Sequence, residues 1–406
     1  MSKNILISGA GIAGPILAFW LVRYGAKVTI VERAPQLRTA GQTIDIRGAG
    51  LEVIRRMGFE SMVRSITTQE QGIYFVDKKN HIKAALPVDT MGGQGLVSEI
   101  EIVRGQLATL LYEQTRKNTE YIFGDSITAI ENREEQVQVK FTKEADRNYD
   151  LVVLADGLGS RTRDLVFKHS RSSIVSLNYY TSYFSIPYEE SDGTWSRSCN
   201  ASGGRSMLLR PDGQKTTSTR AFLGFRGPYE ELSKLSVQDQ KVQIHKLFEN
   251  AGWEASRILS GMDKATDFYF QEIAQIKMNT WSNNRVVLLG DAGYCPSPIS
   301  GMGTSVAIVG AYILAAEIAR HENHKDAFAS YESLLRPYVT KAQKLPPGAP
   351  RIATPETDLG IWFFHKVLGV VTFLIRSGAT RPFARLFSTP AEAIKLPNYD
   401  KYITTS

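Results

Sequence analysis

Cysteine is nearly absent: the 406 residues hold two, Cys199 and Cys295, with no CxxC pattern. That excludes a disulfide scaffold and a zinc–thiolate site, and it suits a reducing compartment, so a cytoplasmic protein is expected. Six histidines show no HExxH or HxH spacing, which argues against a metal centre. A polybasic run is missing too. The net charge of +7 is spread along the chain, a poor match to nucleic acid. No uninterrupted apolar run reaches the ~18 residues of an ordinary spanning helix. The stretch Ile5 to Val22 imitates a signal peptide after Lys3, but Gly9, Gly11, Gly14 and Pro15 interrupt it and no cleavage-site pattern follows. What remains, at 43% hydrophobic and 22% charged residues, is a chain with ample core for roughly two to three domains.

The first residues carry the clearest pattern. Asn4 to Ser8 reads as a buried strand, and Gly9-Ala10-Gly11-Ile12-Ala13-Gly14 follows as a GxGxxG. Pro15 falls in the first turn of a helix whose apolar positions Ile16, Leu17, Trp20 and Leu21 recur at helical spacing, with Gly25 as its stop. A second strand, Lys27 to Val31, ends in Glu32, eighteen residues after Gly14. Gly9 suits the tight turn, Gly11 a close backbone approach to a pyrophosphate, and Gly14 close packing of helix on strand. The helix N-terminus favours phosphate charge, and Glu32 can accept from both ribose hydroxyls of an adenosine. The pattern defines a dinucleotide site without choosing between FAD and NAD(P).

Two later segments bear on that choice. A strand from Tyr149 to Ala155 precedes Asp156-Gly157-Leu158-Gly159-Ser160-Arg161-Thr162-Arg163. Another, Arg285 to Leu289, precedes Gly290-Asp291-Ala292-Gly293-Tyr294-Cys295-Pro296-Ser297-Pro298, and Gly301 and Gly303 close that loop before a helix from Thr304 to about Arg320. With these three fingerprints the chain resembles the class A flavoprotein monooxygenases of the para-hydroxybenzoate hydroxylase fold, whose patterns are GxGxxG, DGxxSxxR and GDAxHxxxPxxGxGxx. Within that family it is similar to the tetracycline-inactivating monooxygenases and related fungal enzymes, sharing the segment Arg38 to Asp45. It departs from the pattern twice, with Tyr294 at the histidine position and Gly310 at a usual acidic position before Ala311.

The resemblance implies FAD held by Gly9, Gly11, Gly14, Glu32, Arg33, Asp45, Arg104, Asp156, Asp291, Pro298, Gly301 and Gly303. It implies NADPH contacts at Arg38 and Arg161, with Arg163 in the same turn, and no metal. Each residue also has a plain structural reading: Asp291 as an N-cap, Asp45 as a turn aspartate, Arg104 as a solvated helix-start cation. No second GxGxxG follows a strand, so the nicotinamide cofactor has no dinucleotide fold of its own.

The expected fold is α/β. A Rossmann-like FAD-binding domain is built from 1–71, 101–173 and 281–345, and a mainly antiparallel substrate domain from 72–100 and 174–280. A C-terminal helical segment, 346–406, follows a proline-rich linker at Leu345 to Pro350 that reads as extended. In the substrate sheet Pro211-Asp212-Gly213 reads as a turn. Met207, Phe222 and Gly224 are substrate-facing candidates, subject to strand parity. The apolar stretch Leu359 to Ile375, followed by Arg376, Arg381 and Arg385, reads as a helix bridging the two domains, with weak membrane-surface contact as the alternative. The implied activity is NADPH-consuming hydroxylation of a small aromatic, phenolic or polyketide-like metabolite by O₂ through a C4a-hydroperoxyflavin. The alternatives are an epoxidase or reductase acting on a lipid-like alkene, a flavin-free NAD(P) dehydrogenase, and a non-enzymatic flavin-binding regulator.

Overall fold

Strands that are apolar on both faces find cover only between layers of other elements, and Asn4–Ser8, Leu151–Leu154 and Val286–Leu288 are buried almost throughout. In the computed structural model they form the centre of a six-stranded sheet, ordered 282–283, 286–288, 151–154, 4–8, 27–32, 120–123. All neighbours run parallel except the first pair. The structure describes residues 3–38, 41–68, 70–88, 100–168, 170–211, 217–377, 391 and 393–404; the side chains of 375 and 376 lie outside that description. The Asp212-Gly213 turn, Thr39, Ala40, Arg381 and Arg385 are likewise outside it.

The helix Ala13–Arg23 packs along Gly303–Arg320, which also meets Ala49–Arg56 and His324–Ala342. Gly303–Arg320 is long and apolar enough to cross a bilayer, but most of it lies inside this core.

A seven-stranded sheet, ordered 269–276, 174–187, 218–226, 205–211, 196–201, 72–76, 82–87, makes the second layer. It is antiparallel except where 196–199 runs parallel to 73–76. The helices Val237–Phe248 and Ala255–Lys264 cover one of its faces and enclose a second core containing Tyr180, Phe184, Met207, Leu223 and Phe225. The other face looks toward the nucleotide-binding sheet.

Two expectations about the C-terminal segment are corrected. The stretch after Leu345 is not extended: Ala349 N–H donates to Pro346 O and Ile352 N–H to Gly348 O, folding it into successive turns. Asn200 Nδ2 and the Gly203 and Gly204 amides then tie Ala353, Glu356 and Pro355 to the substrate sheet. Among the described residues, the helix Asp358–Arg376 has its main packing within one domain rather than across both. It runs along 82–87 and 196–201, both in the substrate sheet. The last described residues return to the other domain, where Tyr399 is buried in the nucleotide-domain core.

Candidate active site

The loops at the carboxyl ends of the parallel strands and the free face of the substrate sheet enclose one cavity of about 880 Å³, within the size range of cofactor and ligand pockets. Gly9, Gly11, Glu32, Arg33, Arg38, Asp45, Arg104, Asp156, Arg161, Asp291, Pro298, Gly301 and Gly303 all line it.

At one end, Gly9 turns the chain with φ +112°, a value that L side chains avoid, and its N–H donates to Val31 O at 2.8 Å. A Cβ on Gly14 would lie 2.1 Å from Gly9 O, so the helix sits directly on the turn. Glu32 accepts from the Ala10 amide at 3.0 Å and the Ala34 amide at 2.9 Å, which fixes its carboxylate and leaves lone pairs for hydroxyl donors. The Arg104 guanidinium reaches over Gly11, where a Cβ would come within 3.1 Å of Nη2. Its own amide holds Gln42 O at 3.0 Å. Arg104 therefore ties the glycine loop to the segment entering the strand Thr43–Asp45 rather than standing in solvent.

Deeper in, Asp291 follows Gly290, which occupies the N-cap position, and no side chain caps that helix. The N-cap reading is thus excluded. Surrounding protein pushes its carboxyl above the usual range, the Cys295 thiol opposing this with a hydrogen bond. Asp45 faces the Gly301 turn, a Cβ there lying 3.4 Å from Oδ2. It is paired with buried Arg47 at 3.0 Å, and burial raises its carboxyl to about 6, Arg47 opposing. The helix Gly303–Arg320 starts beside these carboxylates without a side-chain cap.

The Asp156 motif works differently from expectation. Its carboxylate accepts from Ser160 Oγ at 2.6 Å and Thr162 Oγ1 at 2.8 Å, so it organises its own loop. Arg163 is turned inward and donates to Ala292 O at 2.9 Å and Leu158 O at 3.2 Å. It joins this loop to the Asp291 loop and is not presented to a phosphate. Arg161 and Arg38 are exposed at the cavity rim.

At the other end the sheet presents Tyr179, Tyr183, Phe222, Ser206, Leu208 and Arg210. Phe222 and Gly224 face the cavity. Met207 does not: it is fully buried in the core on the opposite face, because neighbours along a strand point opposite ways. Gly224 makes room rather than contact. A Cβ there would overlap the Tyr179 hydroxyl at 1.8 Å, which pairs with Ser206 Oγ at 2.8 Å. Met207→Ala should therefore cost about 2–5 kcal/mol in unfolding experiments. Phe222→Ala should instead raise KM for the substrate with a smaller loss of stability.

Arg47, Glu101 and Arg210 were not singled out from the sequence. The one available signal was a charged residue inside an apolar strand, as in Met207-Leu208-Leu209-Arg210. Arg210 donates to Glu101 and Thr43, pairs with Glu70 at 3.1 Å, and lies 5.9 Å from the Phe222 ring centroid. Burial pushes the Glu101 carboxyl up to about 8, Arg210 opposing and Glu70 reinforcing. The folded chain therefore keeps a proton that the unfolded carboxyl, at its ordinary 4.5, has released. Stability should fall as pH rises from about 4.5 to 8. Thermal melts of Glu101→Gln should lack this component.

The two departures from the family pattern explain each other. The Tyr294 hydroxyl pairs with Tyr331 at 2.8 Å in the core, and a Cβ on Gly310 would lie 2.3 Å from it. Gly310→Ala should destabilise by about 1–3 kcal/mol. Tyr294→Phe should recover much of that loss in the double variant, since the clashing oxygen is gone.

A glycine loop, a strand-end glutamate and a carboxylate-flanked helix start, opening into one cavity under an antiparallel sheet, define a class A flavoprotein monooxygenase. The chain belongs to the FAD binding domain family, whose model matches residues 2–345, and it is an FAD-dependent monooxygenase. It is 34% identical to the FAD-dependent monooxygenase asL6 of Sarocladium schorii, over 98% of both chains. Among solved structures it is similar to the tetracycline destructase Tet(55), with a TM-score of 0.79 and 32% identity over 98% of this chain and 99% of that one. Klebsiella pneumoniae HpxO, solved with FAD and uric acid, shares the fold at a TM-score of 0.76 and 17% identity, over 97% of this chain and 98% of that one.

Proposed function

We propose that the protein hydroxylates a small aromatic, phenolic or polyketide-like metabolite, taking electrons from NADPH and one oxygen atom from O₂. The observation that carries this reading is the continuity of one cavity from the Glu32 end to the aromatic face of the substrate sheet. When bound, FAD supplies the redox chemistry and the electrophilic oxygen.

The chain's residues bind, orient and shield. Gly9, Gly11, Gly14 and Glu32 would hold the adenosine diphosphate portion, and Arg33 and Arg104 its flanks. Asp291, Pro298 and Asp45 would hold the flavin end. The uncapped helix start after Gly301 favours negative charge at that end. Tyr179, Tyr183 and Phe222 offer ring faces and edges to an aromatic substrate and exclude water from the reacting centre. Arg38 and Arg161 would receive the nicotinamide nucleotide's phosphates at the rim. The likeness to a tetracycline destructase supports a polyketide-like substrate.

The test is a set of candidate phenols and enols incubated with the purified protein, NADPH and ¹⁸O₂. One labelled oxygen in the product is expected. Label arriving from water, or a chromophore other than FAD released on denaturation, would overturn the reading.

A further inference from the structure

The helix Asp358–Arg376 carries an apolar face that no described residue covers. Leu359, Trp362, Phe363, Val367, Val370 and Phe373 recur at the three- and four-residue spacing of one helical stripe, and each is at least 43% exposed. The opposite face is seated. Ile361, His365 and Thr372 are buried, and Phe364 meets Phe75 edge-on at 6.2 Å. The bare stripe amounts to on the order of 800 Å² of apolar surface, above the ~300–600 Å² of the largest patch on an ordinary soluble monomer.

We infer that this stripe rests on an anionic membrane surface, the helix lying parallel to the plane with its rings at the headgroup–acyl boundary. The charges beside it are of the matching sign. Lys78, Lys79, Lys83 and Lys366 lie on the helix or on the hairpin beneath it. Two of these lysines are paired with acids, Lys78 with Asp358 at 3.1 Å and Lys83 with Asp77 at 2.7 Å, and Glu356 pairs with Arg226, so the positive excess beside the stripe rests on Lys79 and Lys366. Lys366 is the informative residue. It stands inside the stripe, with Nζ 5.6 Å from the Trp362 ring centroid. At a bilayer its stem lies along the apolar face while the ammonium reaches the phosphates.

A second copy of the chain fits less well. Lys366 is next to the midpoint of the helix, so a two-fold pairing of these faces sets two ammonium groups against each other in a desolvated contact.

The test uses the full FAD-loaded chain, sedimented with phosphatidylcholine vesicles that contain ~30% phosphatidylglycerol or none. Binding to the anionic vesicles is expected, weaker by ~tenfold or more on neutral vesicles or in high salt. The double variant Trp362→Glu/Phe373→Glu should lose binding yet keep its flavin. Lys366→Glu, with the apolar stripe intact, should weaken binding by roughly tenfold. Wild-type protein left in the supernatant with anionic vesicles overturns the inference. So does a concentration-dependent dimer in sedimentation velocity that the double variant abolishes.

Discussion

Replacing Asp291 by alanine is expected to give a folded protein that leaves purification colourless. Asp291 stands exposed at the cavity wall, and desolvation by the protein around it raises its carboxyl above the ordinary range, so its charge is held at a cost to the empty fold. It caps no helix, and the Cys295 thiol is the side-chain donor that favours its charged form. Removing it relieves that cost, and the apoprotein should melt no lower than wild type. What is lost is an ionised acceptor lining the cofactor cavity. A hydrogen bond to a charged group contributes about 1.5–3 kcal/mol, which corresponds to FAD binding weaker by roughly ten- to a hundredfold. The check pairs flavin absorbance per protein with thermal melting of the apoprotein. A variant that retains flavin, or that unfolds, would return Asp291 to a structural role.

A chain ending at residue 390 should be insoluble or aggregated. Residues 393–404 close over the nucleotide domain. Tyr399 is 3% exposed, and Ile394, Leu396, Tyr402 and Ile403 pack beside it against the same core. Each such side chain, when fully buried, contributes ~1.5–3 kcal/mol, so their joint loss is comparable with the ~5–15 kcal/mol that separates folded from unfolded chains. The electrostatics worsen the outcome. Tyr399 Oη donates at 2.5 Å to Glu317, a fully buried carboxylate on the central helix, and Tyr312 and Arg56 both hold Pro397 O. Cutting the tail opens that carboxylate's surroundings and uncovers Tyr312 beside Trp20, whose ring centroids are 5.0 Å apart. Soluble expression and size-exclusion profiles decide the matter; a monomeric, yellow truncate would contradict it.

The parts of the molecule that were legible in sequence share one property: their signals are local. A strand, a glycine turn and a helix are contiguous between Asn4 and Arg23, and the turn's requirements fall on single residues. The motifs at Asp156 and Asp291 were found for the same reason, although Asp156 organises its own loop and Arg163 turns inward. Sheet parity was not legible. The run Arg205 to Arg210 places Met207 and Leu208 on opposite faces, and composition does not say which faces the cavity. Nor were the partners of Arg210, because Thr43, Glu70 and Glu101 reach it from distant chain segments. Tyr294 and Gly310 each looked like an isolated departure; only packing shows that the hydroxyl of one takes the room a side chain on the other would need.

The parallel pairing of 73–76 with 196–199 bears on engineering. An outer hairpin of the substrate sheet comes from a segment about a hundred residues earlier in the chain, separated from the rest by the helix Arg104–Thr115 and strands of the nucleotide-binding sheet. Substrate range in this scaffold is therefore not a transplantable cassette. A chimera that exchanges 174–280 alone would dock a foreign strand against the resident 72–87 hairpin, and register and twist would have to agree across that seam. Grafts that carry both segments together, with the 346–376 extension seated on them, keep the seam within one parent.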